Sequence, residues 1–180
     1  FGNRQQLTPV LDSLADKGIL FTNMYATGTR TARGMEALTL CVPPTPGNSI
    51  IRRPGNEDLT TIGYIFHQQG YQAGFFYGGD GYFDNMNKYF GSNGYDVTDR
   101  GRNILKDKFK AARTIIPDSL VHFDNAWGIC DEDLYDAVVR DADNTFKEGK
   151  LFYDFVMTTD NNWPYTSSAG NIDIPSGRGR

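Results

Sequence analysis

Cysteine is nearly missing from this chain: 180 residues carry two, Cys41 and Cys130. Two are too few for a disulfide framework, and their spacing fits no zinc motif. Each thiol is expected to be free and buried, with a single bridge left open. Positive charge is also in short supply. Eighteen Lys and Arg stand against 22 Asp and Glu, a formal net charge of −4. That balance excludes a general nucleic-acid or anionic-membrane binder, which needs a basic surface. Any anion site must therefore be local. Long apolar runs are absent, so nothing in the sequence is long enough to span a bilayer. No signal peptide, internal repeat or low-complexity tract is visible. What is plentiful is aromatic side chain, 12 Phe and 10 Tyr, enough for one globular domain at this length but not two. The chain opens at Phe1 rather than Met and closes on IPSGRGR, and it reads as a piece of a longer protein.

The pattern along the chain alternates. Thr8-Pro9 suits a helix start, with Asp12 near the positive end, a buried stripe of Leu11, Leu14 and Ala15, and Gly18 as the stop. Ile19 to Ala26 reads as a strand. After a short loop, Met35 to Leu40 reads as a helix. Cys41 to Asp58 is a long Pro/Gly-rich loop, a length that more often serves function than connection. Asn56 or Asp58 is expected to cap a helix bearing Leu59, Ile62, Ile65 and Phe66, ended by Gly70. Ala73 to Gly79 reads as a buried strand, and a short helix is expected over Phe83 to Phe90. Arg100 to Ile129 has no clear pattern. Asp131 is expected to cap a helix with Leu134, Val138, Ala142 and Phe146 on its apolar face, ended by Gly149. Leu151 to Thr159 reads as the last strand. Helices alternating with strands imply an α/β domain with a mostly parallel sheet.

The chemistry concentrates in TGTRTARGMEAL, Thr27 to Leu38. A hydroxyl, Thr31, sits near a helix start between Arg30 and Arg33. Backbone N–H groups at a helix start favour anions, and arginine forks match tetrahedral oxyanions. A plainer alternative stands beside this: Thr31 as an N-cap, and Arg33 paired with Glu36 at i+3. With a strand before it and a helix after, the Thr31 loop falls where open α/β sheets bind ligands. The acidic cluster Asp131 to Asp136 lacks the loop glycine and spacing of a calcium hand, so it is expected to be a solvated helix start.

LTPVLDSLADKGILFTNMYATGTRT, Leu7 to Thr31, resembles the opening of the sulfatase family in the alkaline-phosphatase superfamily. YGGDGYFDNMNKYF, WGICDEDLYD and FVMTTDNNWPYT resemble its lipoteichoic-acid synthase branch, the phosphoglycerol transferases. The resemblance implies a three-layer α/β sandwich, here incomplete, with residues 1–180 forming part of a catalytic domain. It implies Thr31 as catalytic nucleophile and as one ligand of a divalent metal, often manganese, whose other ligands lie outside these residues. His67 and His122 fall outside the family's ligand motifs, so no tightly bound metal is expected on this stretch alone. It implies membrane anchoring through segments not present, and a catalytic domain on the periplasmic or extracellular face. A phospholipid head group or a glycan acceptor is the implied partner. T-A-R-G at Thr31 replaces the C/S-x-P-x-R of formylglycine sulfatases, so that chemistry is not expected.

The departures bear on substrate. The family's F-W-N-R is here Phe83-Asp84-Asn85-Met86: the aromatic ring becomes a carboxylate, and the phosphate-binding arginine becomes Met86. The family's T-S-N-H-R-P is here Thr159-Asp160-Asn161-Asn162-Trp163-Pro164, with Asn162 in place of a histidine. Arg33, Arg30, Asp84, Asn162 and Trp163 are the candidate substrate contacts. Asp84 and Asp80 have turn roles as their alternative, and Trp163 has packing on Pro164. Three functions follow: a metal-dependent phosphotransferase with a threonine nucleophile, a phosphodiester or sulfuric-ester hydrolase of the same fold, or an inactive scaffold.

Overall fold

The computed structural model describes residues 7–101, 109–168 and 170. The chain end IPSGRGR, and the part of the unpatterned stretch at 102–108, lie outside them. Among the described residues nine α-helices and strands follow in order. They are α1 (Pro9–Ala15), α2 (Thr31–Leu40), α3 (Ile62–Gln68), β1 (Gln72–Tyr77), α4 (Met86–Gly91), β2 (Asp96–Asp99), β3 (Arg113–Ile115), α5 (Asp131–Lys147) and β4 (Phe152–Met157). The four strands make one parallel sheet in the order β3-β2-β1-β4. The mostly parallel α/β sheet expected from the sequence is present.

The central strand β1 explains the layers. Its residues Ala73 to Tyr77 are all buried, with side chains sent alternately to the two faces. Phe75 and Tyr77 join Met86, Tyr89, Phe90, Tyr95 and Val97 on one face, and Ala32, Met35 and Ile51 extend that core. Phe76 joins Ile116, Ile129 and Leu134 on the other. Phe75 and Phe90 stack at 3.7 Å between ring centroids. Helices α2, α3 and α4 thus cover one face and α5 the other, a three-layer sandwich. Gly63 of α3 lets the helix approach: a Cβ there would lie 2.2 Å from the Tyr95 ring, whose hydroxyl accepts from Gly63 N at 3.0 Å.

Several local expectations are corrected. Ile19 to Ala26 is not a strand. The segment is irregular and exposed, with Ile19, Phe21, Met24 and Tyr25 open to solvent. Strand-forming side chains need a hydrogen-bonded neighbour, and no strand of the sheet pairs with it. The stripe Leu11, Leu14, Ala15 is not buried either; α1 has no buried residue. The expected caps shift for a common reason: the candidate carboxylates and amides have other partners. Thr61, not Asn56 or Asp58, caps α3 by accepting from Tyr64 N at 3.1 Å, while buried Asn56 donates to Ile50 O and Ile51 O. Cys130, not Asp131, holds the N-cap position of α5. Asp131 instead accepts from Thr159 N at 2.8 Å and Asp160 N at 3.2 Å, tying α5 to the end of β4. The helix expected over Phe83 to Phe90 is split. Asp84 and Asn85 adopt left-handed backbone (φ 52° and 61°), so a 3-10 turn Phe83–Asn85 precedes α4. Asp and Asn are the side chains that tolerate that region best after glycine. Strands β2 and β3, four and three residues long and largely polar, went unread. Both cysteines are free, Cys41 exposed rather than buried and Cys130 buried, as expected. Burial pushes the Cys130 thiol up to about 12, so it stays protonated.

Candidate functional site

Thr31 is the first residue of α2, exposed, with Arg30 at the N-cap in extended backbone. Arg33 N and Gly34 N both bond to Arg30 O, which closes the first turn behind them. The N-terminus of α2 therefore faces a cavity of about 730 Å³ whose walls include Thr29, Arg30, Thr31, Arg52, Asp84 and Asn162. Phe83 and Asp84 follow β1, and Asn162 follows β4. The cavity thus opens at the carboxyl ends of adjacent parallel strands. That position survives without the strand expected before Thr31.

The long loop after α2 builds one wall and is held rigidly. Arg33 Nη1 donates to Thr45 O at 2.7 Å and to Glu36 Oε1 at 3.0 Å, and Nη2 donates to Gly47 O. Glu36, fully buried, accepts from Ile50 N through its other oxygen. Arg53 bonds Asn48 O at 2.6 Å, Thr45 Oγ1 at 2.7 Å and Pro46 O at 2.8 Å. Gly28 (φ 83°) lets the preceding loop cross Arg33: a Cβ there would lie 2.5 Å from the Arg33 Cβ. Arg33 thus makes the local ion pair that stood as its alternative role. It lines the cavity chiefly as the fastening of the loop, while Arg30 lies exposed on the opposite side of Thr31 in sequence.

The other candidates divide. Asp84 lines the cavity and pairs with Arg52, Nε to Oδ1 at 3.5 Å. A guanidinium therefore sits beside this carboxylate. Met86 is 1% exposed, part of the core. Its position faces inward and leaves no place for a phosphate-binding arginine there. Asn162 lines the cavity while its amide donates to Thr159 O at 3.1 Å. The ring at the cavity wall is that of Trp127, edge-on to Phe83 at 6.0 Å between centroids. Trp163 lies farther out, half exposed, and accepts from Trp127 Nε1 through its carbonyl at 2.8 Å. Asp80 makes a turn, accepting from Tyr82 N at 3.0 Å. Arg52 and Trp127 were missed in sequence. Arg52 lies in a loop without period and Trp127 in the unpatterned stretch; the apolar pair Ile50-Ile51, set among polar residues, is the one signal that its segment returns to the core.

Electrostatics follow the geometry. Burial, reinforced by Asp84, Asp80 and Asp99, pushes the Tyr77 hydroxyl up to about 12, so it donates and does not titrate near neutrality. Among the described residues no group of three or more His, Cys, Asp or Glu is gathered to hold a metal ion. Asp84, the carboxylate lining the cavity, is already paired with Arg52. These residues do not make up a coordination set for a divalent cation, which needs several oxygen donors. His67 is exposed on α3, and His122 belongs elsewhere, 2.6 Å from Asp133. Among the described residues no helix is long and apolar enough to cross a membrane.

Known proteins share this fold. The sulfatase family model matches residues 1–172. A protein in the alkaline phosphatase superfamily from Vibrio parahaemolyticus superposes with a TM-score of 0.78 at 34% identity, over 94% of this chain and 38% of that one. The lipoteichoic acid synthase LtaP from Listeria monocytogenes has the same fold, with a TM-score of 0.59 at 14% identity over 77% of this chain and 30% of that one. The chain therefore spans 38% and 30% of these two structures' lengths.

Proposed function

This chain belongs to the sulfatase family, and from that premise we propose that it is the nucleophile-bearing part of a phosphotransferase, similar to lipoteichoic acid synthase, with Thr31 as the nucleophile. The observation that carries the proposal is the exposed Thr31 hydroxyl at the start of α2, in a cavity at the carboxyl ends of β1 and β4 that also holds Arg30 and Arg52. Thr31 Oγ attacks phosphorus while the bond from phosphorus to the leaving alcohol's oxygen breaks, and the proton lost from the Thr31 hydroxyl is matched by the one the departing alcohol gains. The covalent phosphothreonine then passes its group to an acceptor hydroxyl, and Thr31 regains its proton. The positive end of α2 and the arginine forks stabilise the negative charge on the transferring group. Thr31 Oγ would be one donor to a divalent cation, manganese by our proposal, and such an ion, when bound, would ease loss of that hydroxyl's proton. The other donors would come from outside the described residues.

The donor is a phospholipid head group, and the acceptor a membrane lipid or a glycan at the outer face of the cell membrane. Anchoring to that membrane is assigned to segments outside these 180 residues. The test is Thr31→Ala in the whole enzyme, with glycerol present as acceptor alcohol and products separated by mass. Loss of all turnover with an unchanged melting temperature supports the proposal, and retained turnover refutes it. Appearance of a glycerol adduct in the unaltered enzyme marks transfer; release of product to water alone marks a hydrolase of the same fold.

A further inference from the structure

The motif WGIC, Trp127 to Cys130, has no part in the Thr31 chemistry, yet the fold holds it by several close contacts. Trp127 sits in a tight turn. Asn125 Oδ1 accepts from Trp127 N at 2.7 Å and from Gly128 N at 3.3 Å, and Asn125 N donates to Gly128 O at 2.8 Å. The turn is pressed onto Gly78 and Gly79, just after β1, with Ile129 N donating to Gly78 O at 2.9 Å. A Cβ at Gly79 would lie 2.4 Å from Trp127 O, and one at Gly128 would lie 2.2 Å from Gly78 O. A side chain at either position would strike backbone, so the close approach requires glycine. A second anchor comes from the loop after β4, where Thr166 Oγ1 accepts from Asn125 Nδ2 at 2.9 Å. The indole is thus fixed, half-buried, at the wall of the Thr31 cavity. Its one donor, Nε1, is taken by Trp163 O. What it offers a ligand is a ring face.

A second cavity, of about 920 Å³, adjoins the first, and Phe83, edge-on to Trp127, lines both. The second cavity also carries the exposed Tyr82 ring beside Asp80, Asp84 and Asn85. Aromatic rings set among carboxylates and an amide select a particular chemistry. A ring face attracts polarised C–H bonds, while carboxylate and amide oxygens accept from hydroxyls. A sugar ring presents both, C–H bonds on its faces and hydroxyls around its rim. An acyl chain brings the carboxylates no donor. The cations of the second cavity already have partners: Arg53 donates to Asn48 O, Thr45 Oγ1 and Pro46 O, Lys88 pairs with Glu57 at 2.7 Å, and Arg52 pairs with Asp84. That wall suits a neutral polyhydroxyl ring better than a bare phosphate.

Resting on the Thr31 reading above, we propose that Trp127 is a specificity residue for the acceptor. Its ring face, with Phe83 and Tyr82, receives a sugar ring, and the second cavity takes that sugar's other hydroxyls. The reacting hydroxyl oxygen bonds phosphorus as the bond from phosphorus to Thr31 Oγ breaks; the acceptor gives up one proton and Thr31 gains one.

The experiment uses the whole enzyme, bis(p-nitrophenyl) phosphate as donor, and two competing acceptors, methyl β-D-glucopyranoside and glycerol, with products separated by mass. Glycerol offers hydroxyls without a ring face, so the ratio of kcat/KM for glucoside over glycerol reads the platform. The unaltered enzyme is expected to favour the glucoside by about tenfold or more. Trp127→Ala is expected to cut that ratio roughly tenfold, chiefly through the glucoside's KM, and Trp127→Phe to keep most of it, since a ring remains. Tyr82→Ala removes an exposed ring and is expected to cut the ratio roughly fivefold. Preference for glycerol in the unaltered enzyme, or transfer to neither alcohol, overturns the inference. So does a ratio for folded Trp127→Ala within about twofold of the unaltered enzyme's, a change too small for a lost ring contact. Where Trp127→Ala does not fold, the same result in Tyr82→Ala overturns it. Thr31→Ala, run alongside, separates the failures: inactive Thr31→Ala with an unmoved ratio defeats this inference alone, and active Thr31→Ala defeats the nucleophile assignment.

Discussion

Arg33 and Glu36 form an ion pair, 3.0 Å between Nη1 and Oε1, in which the acid is fully buried and the base mostly so. Together they fasten the loop that walls the Thr31 cavity, through Thr45 O, Gly47 O and Ile50 N. Glu36→Ala leaves the Arg33 guanidinium without its counter-charge and the Ile50 N–H without its acceptor. Breaking a buried pair in this way costs about 3 kcal/mol, a fall in melting temperature of roughly 6–12 °C for a domain of this size. Calorimetry checks the fall, and amide exchange across residues 45–50 checks that the loop loosens first.

Asp154 of β4 is the acid the fold holds least comfortably. Burial first, and the nearby Asp141 second, push its carboxyl up from the usual range to about 6. The ionised form is the disfavoured one, so the sign is clear. Stability is highest below the unfolded pKa near 4, falls as pH rises toward 6, and is flat above. Asp154→Asn should therefore stabilise the chain at pH 7 to 8 by about 1 kcal/mol after allowance for solvent screening, and do nothing at pH 3.5. Thermal melts at the two pH values test this.

His122 and Asp133 behave in the opposite sense. The hydrogen bond from His122 Nδ1 to Asp133 Oδ1, 2.6 Å, raises the imidazole above its ordinary value, chiefly through that bond and then through the carboxylate charge. Desolvation opposes ionisation of Asp133, but its bonds with His122 outweigh it and the carboxyl is lowered. The His contribution is full below the unfolded pKa near 6.5 and is lost as pH rises through the raised value. His122→Ala should lower the melting temperature more at pH 5.5 than at pH 9. NMR titration of the ring in the unaltered chain should show a midpoint above 6.5; a midpoint at or below it contradicts the pairing.

Residues that pack by periodicity were legible in the sequence. β1 reads as a buried strand because Phe75, Phe76 and Tyr77 form an apolar run, and α5 and β4 read correctly for similar reasons. Gly70 and Gly149 mark helix ends, each with positive φ. Legibility failed where tertiary partners decide. Ile19 to Ala26 has strand composition but no strand beside it, and β2 is a strand because β1 and β3 flank it, not because DVTD is apolar. The same split runs through the site. The placement of Thr31 at an arginine-flanked helix start was readable. Arg52 was not, because its position depends on buried Ile51 and on an Asn85 amide 34 residues away. Asp84 was readable as a departure, but the guanidinium that offsets it belongs to a loop without pattern.

The most direct test of the central claim is to find the covalent intermediate. The whole enzyme is mixed with a phosphodiester donor, quenched in acid within the first turnovers, digested and mapped by mass spectrometry. The account predicts the transferred phosphoryl group on Thr31, and its absence from Thr29 and Thr39. An adduct on another residue, or turnover in which Thr31 is never modified, would contradict it.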